Sequence, residues 1–157
     1  MPRFLLPAAF ALLASSVQAA DFDLSAGVSK TIGWRTTAVA FFDASGEAHE
    51  WLGLHWQPTG TIGWIGSRSD ENDHLDKDVF VAGGGFRLVD WWGGAFFGFE
   101  GGFVNETTDA LSSHGQFISS LGWRGNRIVV MVRHISNGHV FGGRNLGETM
   151  VVAGVTF

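Results

Sequence analysis

The chain has no cysteine, only three prolines and few charged residues. Without cysteine it can form no disulfide framework and can carry out no thiol chemistry. The apolar run near the N-terminus is too short for a membrane-spanning helix, and no later run reaches the ~18–20 residues that such a helix requires. Ten basic against fifteen acidic residues leave no basic patch to neutralise phosphates, which argues against a nucleic-acid partner.

The sequence is rich in glycine, phenylalanine and tryptophan. So much apolar and aromatic material with so little charge predicts that part of the surface faces something other than water. The N-terminal "MPRFLLPAAFALLASSVQAADFD" has one basic residue, Arg3, then an apolar run and small residues. This order predicts a signal peptide over residues 1–20, cleaved after Ala19 or Ala20, and one mature domain over residues 21–157 outside the cytoplasm.

Short segments rich in β-branched and aromatic residues, without a sustained helical period, predict an all-β chain of eight strands. The predicted strands cover residues 22–31, 34–43, 50–66, 78–89, 92–105, 115–124, 127–136 and 148–157. In the second half of the chain, short connections alternate with long polar ones. This alternation is typical of an outer-membrane barrel with short periplasmic turns, so we expect an eight-stranded antiparallel transmembrane β-barrel.

Side-chain alternation predicts which face of each strand is inside. Arg87, Glu100 and Arg124 lie opposite the aromatic positions of their strands. A charge cannot face hydrocarbon cheaply, so these three should point into the lumen, and the aromatic residues should face lipid. Side chains fill the interior of an eight-stranded barrel, which predicts a plugged barrel and not a pore. A soluble barrel of lipocalin type, with its apolar residues inside, is the alternative.

The stretch "VMVRHISNGHVF" interrupts an apolar strand with polar residues. Arg127 and Arg133 share the face assigned to the lumen, which leaves His134 and Ser136 on the lipid-facing side. Residues two apart on a strand lean from the same face, so the imidazole can reach the hydroxyl. If both termini are periplasmic, Ser136 lies at the outer end of its strand.

A histidine that acts as a base needs a third group to orient it, usually a carboxylate. A hairpin symmetric about Phe141 would place Glu148 opposite His134, and this stretch contains no other acid. If Phe157 faces lipid, however, Glu148 falls on the other face of the last strand. A β-bulge, a position in the loop before the strand, or a strand whose even residues face lipid would each resolve the conflict, and all three stay open.

The element "RHISN", followed by "NLG" with Asn145 and then Glu148, resembles the PagL family of lipid A 3-O-deacylases. The resemblance implies that Ser136 is the nucleophile, His134 the general base and then acid, and Glu148 the orienting carboxylate. Asn137 is the first candidate for stabilising the oxyanion, and a backbone N–H could serve instead. Asn145 is a further oxyanion or substrate candidate.

The resemblance further implies a location in the outer membrane and a substrate in its outer leaflet. The substrate would be the 3-hydroxyacyl chain ester-linked at position 3 of lipid A, cleaved without metal or cofactor; a second copy of the chain could form a homodimer. Two other functions are weighed against this one. The first is a non-catalytic barrel for adhesion or envelope structure, and the second is a lipid A acyltransferase with its acyl pocket inside the lumen.

Overall fold

The computed structural model describes residues 20–31, 35–68, 74–140 and 146–157. The predicted signal peptide, apart from Ala20, and the candidate residue Asn145 lie outside these ranges. The described residues form β-strands, turns and loops. None of them belongs to a helix long and apolar enough to cross a membrane.

Eight strands form the barrel, and a short ninth strand extends it at one end. In chain order they are β1 (Asp21–Lys30), β2 (Thr36–Ser45), β3 (His49–Trp51), β4 (Leu54–Ile65), β5 (Val79–Val89), β6 (Ala95–Val104), β7 (Gly115–Arg124), β8 (Ile128–Ser136) and β9 (Glu148–Thr156). All neighbouring strands are antiparallel, β9 pairs with β1, and β2 pairs with β4, so the sheet closes on itself. The predicted all-β fold with an eight-stranded antiparallel barrel is confirmed.

One predicted strand, residues 50–66, is wrong as a single element. Leu52 and Gly53 adopt positive φ angles of 55° and 74°, which no strand contains, and they form a tight turn. The turn separates β3 from β4, and Trp51 pairs with Leu54 across it. The hairpin therefore projects beyond the level at which β2 and β4 stop pairing.

The interior contains paired charges packed among apolar residues. Arg87, Glu100 and Arg133 are buried, as the alternation predicts. Arg133 Nη2 lies 2.7 Å from Asp43 Oδ1, and its guanidinium stacks on the ring of Phe41 at 4.5 Å. Pairing is required here, because an isolated charge in a low-dielectric interior is costly.

Arg124 and Arg127, which the alternation also predicts to point into the lumen, lie in different environments. Arg124 is partly buried and lies 3.0 Å from the carboxylate of Asp23, on the inner side. The prediction for Arg127 is wrong, because this residue is exposed in the turn before β8, where strand alternation does not apply.

The exterior carries a broad belt of exposed apolar side chains. Members from seven of the eight barrel strands, all except β2, include Leu24, Val28, Ile62, Phe80, Phe97, Phe99, Phe103, Leu121, Val130, Val132, Val151 and Val155. Aromatic rings contact one another along this surface, for example Phe86 with Phe99 and Phe99 with Phe117. A monomer in water rarely exposes so large a contiguous apolar surface.

The two ends of the barrel differ. The start of β1 and the end of β9 lie at one end, hereafter the terminal end, where Phe22 and Phe157 exchange backbone hydrogen bonds of 2.9 Å. At the opposite end, hereafter the loop end, the described parts of the long connections fold over the mouth and bury Leu75 and Leu111. These connections also contact the β8–β9 loop, since Gly147 N–H donates to Ala110 O at 2.9 Å.

Candidate active site

His134 and Ser136 lie on the outward face of β8, as the alternation predicts. Val130 and Val132 precede them on this face and are exposed, whereas Arg133 and Ile135 point inward and are fully buried. Ser136 is the last residue of β8 and therefore lies at the loop end. The pair thus occupies the edge of the apolar belt where it meets the long loops.

The imidazole of His134 contacts β9, but not through an acid. Its Nδ1 lies 2.9 Å from Oγ1 of Thr149, the residue directly opposite in the ladder. In the tautomer in which Nδ1–H donates a hydrogen bond to Thr149 Oγ1, Nε2 carries no proton and can act as a base. Within the described part of the chain, no hydrogen bond joins His134 to Ser136.

A glycine makes room for this imidazole. Gly147 has a φ of 70°, and a Cβ on it would lie 2.5 Å from Cε1 and 2.9 Å from Nε2 of His134. Any side chain at this position would therefore displace the ring. The orientation of His134 depends on Thr149 on one side and on the absence of a side chain at Gly147 on the other.

A backbone amide lies beside the hydroxyl of Ser136. The N–H of Gly138 donates to Ser136 Oγ at 3.4 Å. Gly138 and His139 have φ angles of 59° and 62°, so the chain turns sharply after β8 and brings this amide back. A preorganised N–H next to a nucleophile is the type of group that stabilises an oxyanion in acyl transfer.

Glu148 does not occupy the predicted position. The ladder pairs Glu148 with Ile135, one residue away from His134, so its side chain points inward and is only 2% exposed. A one-residue change of register moves a side chain to the opposite face of a strand. No bulge restores the outward position, because pairing runs without interruption from Glu148 to Val155. The other two alternatives also fail, since Glu148 belongs to β9 and the odd residues face outward.

The carboxylate of Glu148 is instead held by residues of other elements. Arg68 donates to both oxygens, with Nη1–Oε1 at 2.9 Å and Nη2–Oε2 at 2.8 Å. The hydroxyl of Ser29 on β1 also donates to Oε2. This bidentate ion pair fixes the β4–β5 loop to the barrel mouth. Sequence reasoning missed Arg68, because nothing near it in the chain marks a partner on β9.

The oxyanion candidates also differ from expectation. Asn137 is fully buried, and its Nδ2 donates to Ser112 Oγ at 3.2 Å and Ser113 Oγ at 3.0 Å. The side chain therefore ties the β6–β7 loop to the end of β8 and does not point to the outward side of Ser136. Asn145 lies outside the described residues. The Gly138 amide is the outward-facing donor beside the hydroxyl.

An apolar groove of about 520 Å³ lies on the same outward face as the Ser–His pair. The groove is lined by Val132 on β8, Leu121 on β7 and Val151 on β9. These three residues lie side by side in the sheet, two residues closer to the terminal end than His134 and its partners across the strands. Trp91 and Trp92 close the groove at the terminal end. A polar pair thus stands at the head of an apolar channel on the outer surface.

The class defined by the fold and the site is a small closed barrel with an apolar exterior and a Ser–His pair at its loop end. Among the described residues, no group of three or more histidine, aspartate or glutamate side chains could hold a metal ion. No protein-family model matches the chain, and neither a curated protein nor a solved structure matches it.

Proposed function

We propose that this protein is an integral outer-membrane serine esterase that removes the 3-hydroxyacyl chain ester-linked at position 3 of lipid A. The observation that carries the proposal is the outward position of His134 and Ser136 at the loop end of an apolar exterior. A lipid in the outer leaflet reaches this position by lateral diffusion, with its acyl chains still in hydrocarbon. The predicted signal peptide and the PagL-like "RHISN" element agree with this assignment.

Each step of the chemistry has a candidate group. His134 takes the Ser136 proton as the hydroxyl oxygen attacks the ester carbonyl, and the Gly138 N–H stabilises the resulting oxyanion. The imidazolium then returns the proton to the departing sugar oxygen at position 3. Water from the headgroup side attacks the acyl-enzyme with His134 again as base. The products are a free 3-hydroxy fatty acid and regenerated Ser136.

The apolar groove supports an acyl substrate. It begins at Val132, two residues from His134 on the same face of β8, and is lined almost entirely by apolar side chains. An acyl chain lying there keeps its methylene groups out of water while its carbonyl reaches the Ser–His pair. Burial of each methylene contributes about 0.8 kcal/mol, so a long chain gains substantial affinity from this surface.

The third group of the proposed triad is the point at which the structure departs from the resemblance. Thr149 takes the orienting position on Nδ1 that the resemblance assigns to Glu148. We propose that Thr149 holds the imidazole in the arrangement described, while Glu148 ties the β4–β5 loop to the barrel mouth through Arg68. For Glu148 to act as the triad acid, its carboxylate would have to leave Arg68 and Ser29 and move to the outward face.

The contents of the lumen favour the esterase over the acyltransferase. Asp43, Glu100 and Arg133 occupy the middle of the barrel, joined through Thr61, whose hydroxyl donates to Asp43 and lies 3.0 Å from Glu100. An acyl chain there would have to displace a charged network. Two apolar grooves among the described residues, one beside Val132 and one beside Ile62, lie on the outer surface.

The proposal is tested by mass spectrometry of lipid A from cells expressing the wild-type protein and three variants. Wild type should remove one 3-hydroxyacyl chain, and Ser136→Ala and His134→Ala should not. Ser119→Ala is the matched control, because Ser119 is also outward and lies opposite His134 on β7; it should retain activity. Gain of an acyl chain would indicate the transferase, and an unchanged pattern with folded wild type would indicate the non-catalytic barrel.

A further inference from the structure

The hairpin of β3 and the start of β4 is amphipathic. Across it, His49 pairs with Trp56, Glu50 with His55, and Trp51 with Leu54. Directly opposed residues of an antiparallel pair share a face. One face therefore carries Trp51, Leu54 and Trp56 with His49, and the other carries only Glu50 and His55.

The apolar face of the hairpin continues the apolar exterior of the barrel. Leu54 and Trp56 belong to the same alternation on β4 as Ile62, which lies in the exposed belt. Trp56 contacts Phe86 on β5 edge to face, with ring centroids 5.1 Å apart, and Trp51 lies 6.5 Å from Trp56. The hairpin thus prolongs the belt past the terminal end, while its charged face lies on the side of the barrel axis.

The tip of the hairpin is unfavourable in water. Leu52 is 80% exposed and has a φ of 55°, a conformation disfavoured for a residue with a branched apolar side chain. Turns of this kind normally carry Asn or Gly at that position. A strained leucine at an exposed tip is explained when the tip contacts an apolar medium, because the contact offsets both costs.

Tryptophans mark the same level around the barrel. Five of the six tryptophans within the described ranges lie at the terminal end, namely Trp51, Trp56, Trp91, Trp92 and Trp123. Trp123 Nε1 donates to Gly93 O at 2.7 Å, which fixes one ring against the β5–β6 turn. Tryptophan concentrates where hydrocarbon meets headgroups, because its ring is apolar and its N–H is polar.

We propose that the hairpin tip, Trp51 to Leu54, is a membrane-interface anchor that inserts into the headgroup region of the leaflet at the terminal end. The occupant of this surface is phospholipid. Glu50 and His55 face away from the bilayer, toward the aqueous side below the lumen. The inference depends on the membrane location in the proposed function but not on esterase activity. The anchor would fix how deeply the barrel sits in the membrane, and therefore the level at which Ser136 lies in the opposite leaflet.

The absence of cysteine permits a direct test by site-directed spin labelling. Single-cysteine variants Leu52→Cys and Glu50→Cys, one at the tip and one on the charged face, are labelled with a nitroxide in phospholipid vesicles. Ile62→Cys in the belt and Asp76→Cys in an exposed loop provide the lipid and water references. Oxygen and a water-soluble nickel chelate then measure the accessibility of each label.

The label at Leu52 should be several-fold less accessible to nickel than the label at Glu50 and more accessible to oxygen, while Glu50 should resemble Asp76. Equal nickel accessibility at Leu52 and Glu50 with a protected Ile62 would overturn the anchor alone. A water-accessible Ile62 would overturn the membrane location itself. Dipolar broadening at Leu52 that disappears on dilution with unlabelled protein would show contact with a second copy and would also overturn the anchor.

Discussion

The ion pair between Glu148 and Arg68 allows the structural and chemical roles of Glu148 to be separated. Glu148→Gln keeps the shape of the side chain and its contact with Ser29 but leaves the buried Arg68 guanidinium without a carboxylate. Removing one partner of a buried pair costs about 3–5 kcal/mol. With a urea m-value of about 2 kcal/mol per M, the unfolding midpoint should fall by roughly 1.5–2.5 M.

The matched double variant, Glu148→Gln with Arg68→Met, removes both charges and should recover most of the lost stability. Urea unfolding in the same lipid, followed by tryptophan fluorescence, measures both effects. Lipid A deacylation per folded molecule is then compared. If Thr149 orients His134, the double variant should deacylate at close to the wild-type rate. A double variant that is as stable as wild type and still inactive would refute this assignment and make Glu148 the triad acid.

Three other changes have defined outcomes. Thr149→Val should lower kcat about 10- to 150-fold, because a hydrogen bond to a charged group contributes about 1.5–3 kcal/mol. Thr149→Ser keeps the hydroxyl and should retain the wild-type kcat, and deacylation kinetics measure both values. Arg133→Met should destabilise the barrel by about 3–5 kcal/mol, and adding Asp43→Asn should recover part of this in urea unfolding. Val132→Trp, which fills the groove, should reduce release of long 3-hydroxy fatty acids more than short ones, as measured by mass spectrometry of the products.

The architecture follows from local sequence features, which explains why it could be predicted. Alternation with a period of two assigns a face to each residue, and charges such as Arg87 and Glu100 then identify the inner face. The same rule places His134 and Ser136 on the outside. These predictions need no knowledge of distant contacts, because the cost of exposing a charge to hydrocarbon depends only on the face of the strand on which that residue lies.

The partners of the site depend on register and on remote contacts, which the sequence does not reveal. The face on which Glu148 lies changes with a one-residue difference in how β8 and β9 align. Arg68 reaches Glu148 from a loop that is distant in sequence. Asn137 is drawn inward by Ser112 and Ser113 of a loop on the other side of β8.

If the proposed esterase function is correct, only half of the binding site is made of protein, because the Ser–His pair lies on the outside of a closed barrel. The surrounding lipids would supply the other half, so the fluidity and composition of the leaflet would become determinants of turnover. The same protein would then have different catalytic rates in detergent micelles and in an ordered lipopolysaccharide leaflet. Its catalytic rates can be compared between preparations only when the substrate concentration is expressed as molecules per unit area of membrane.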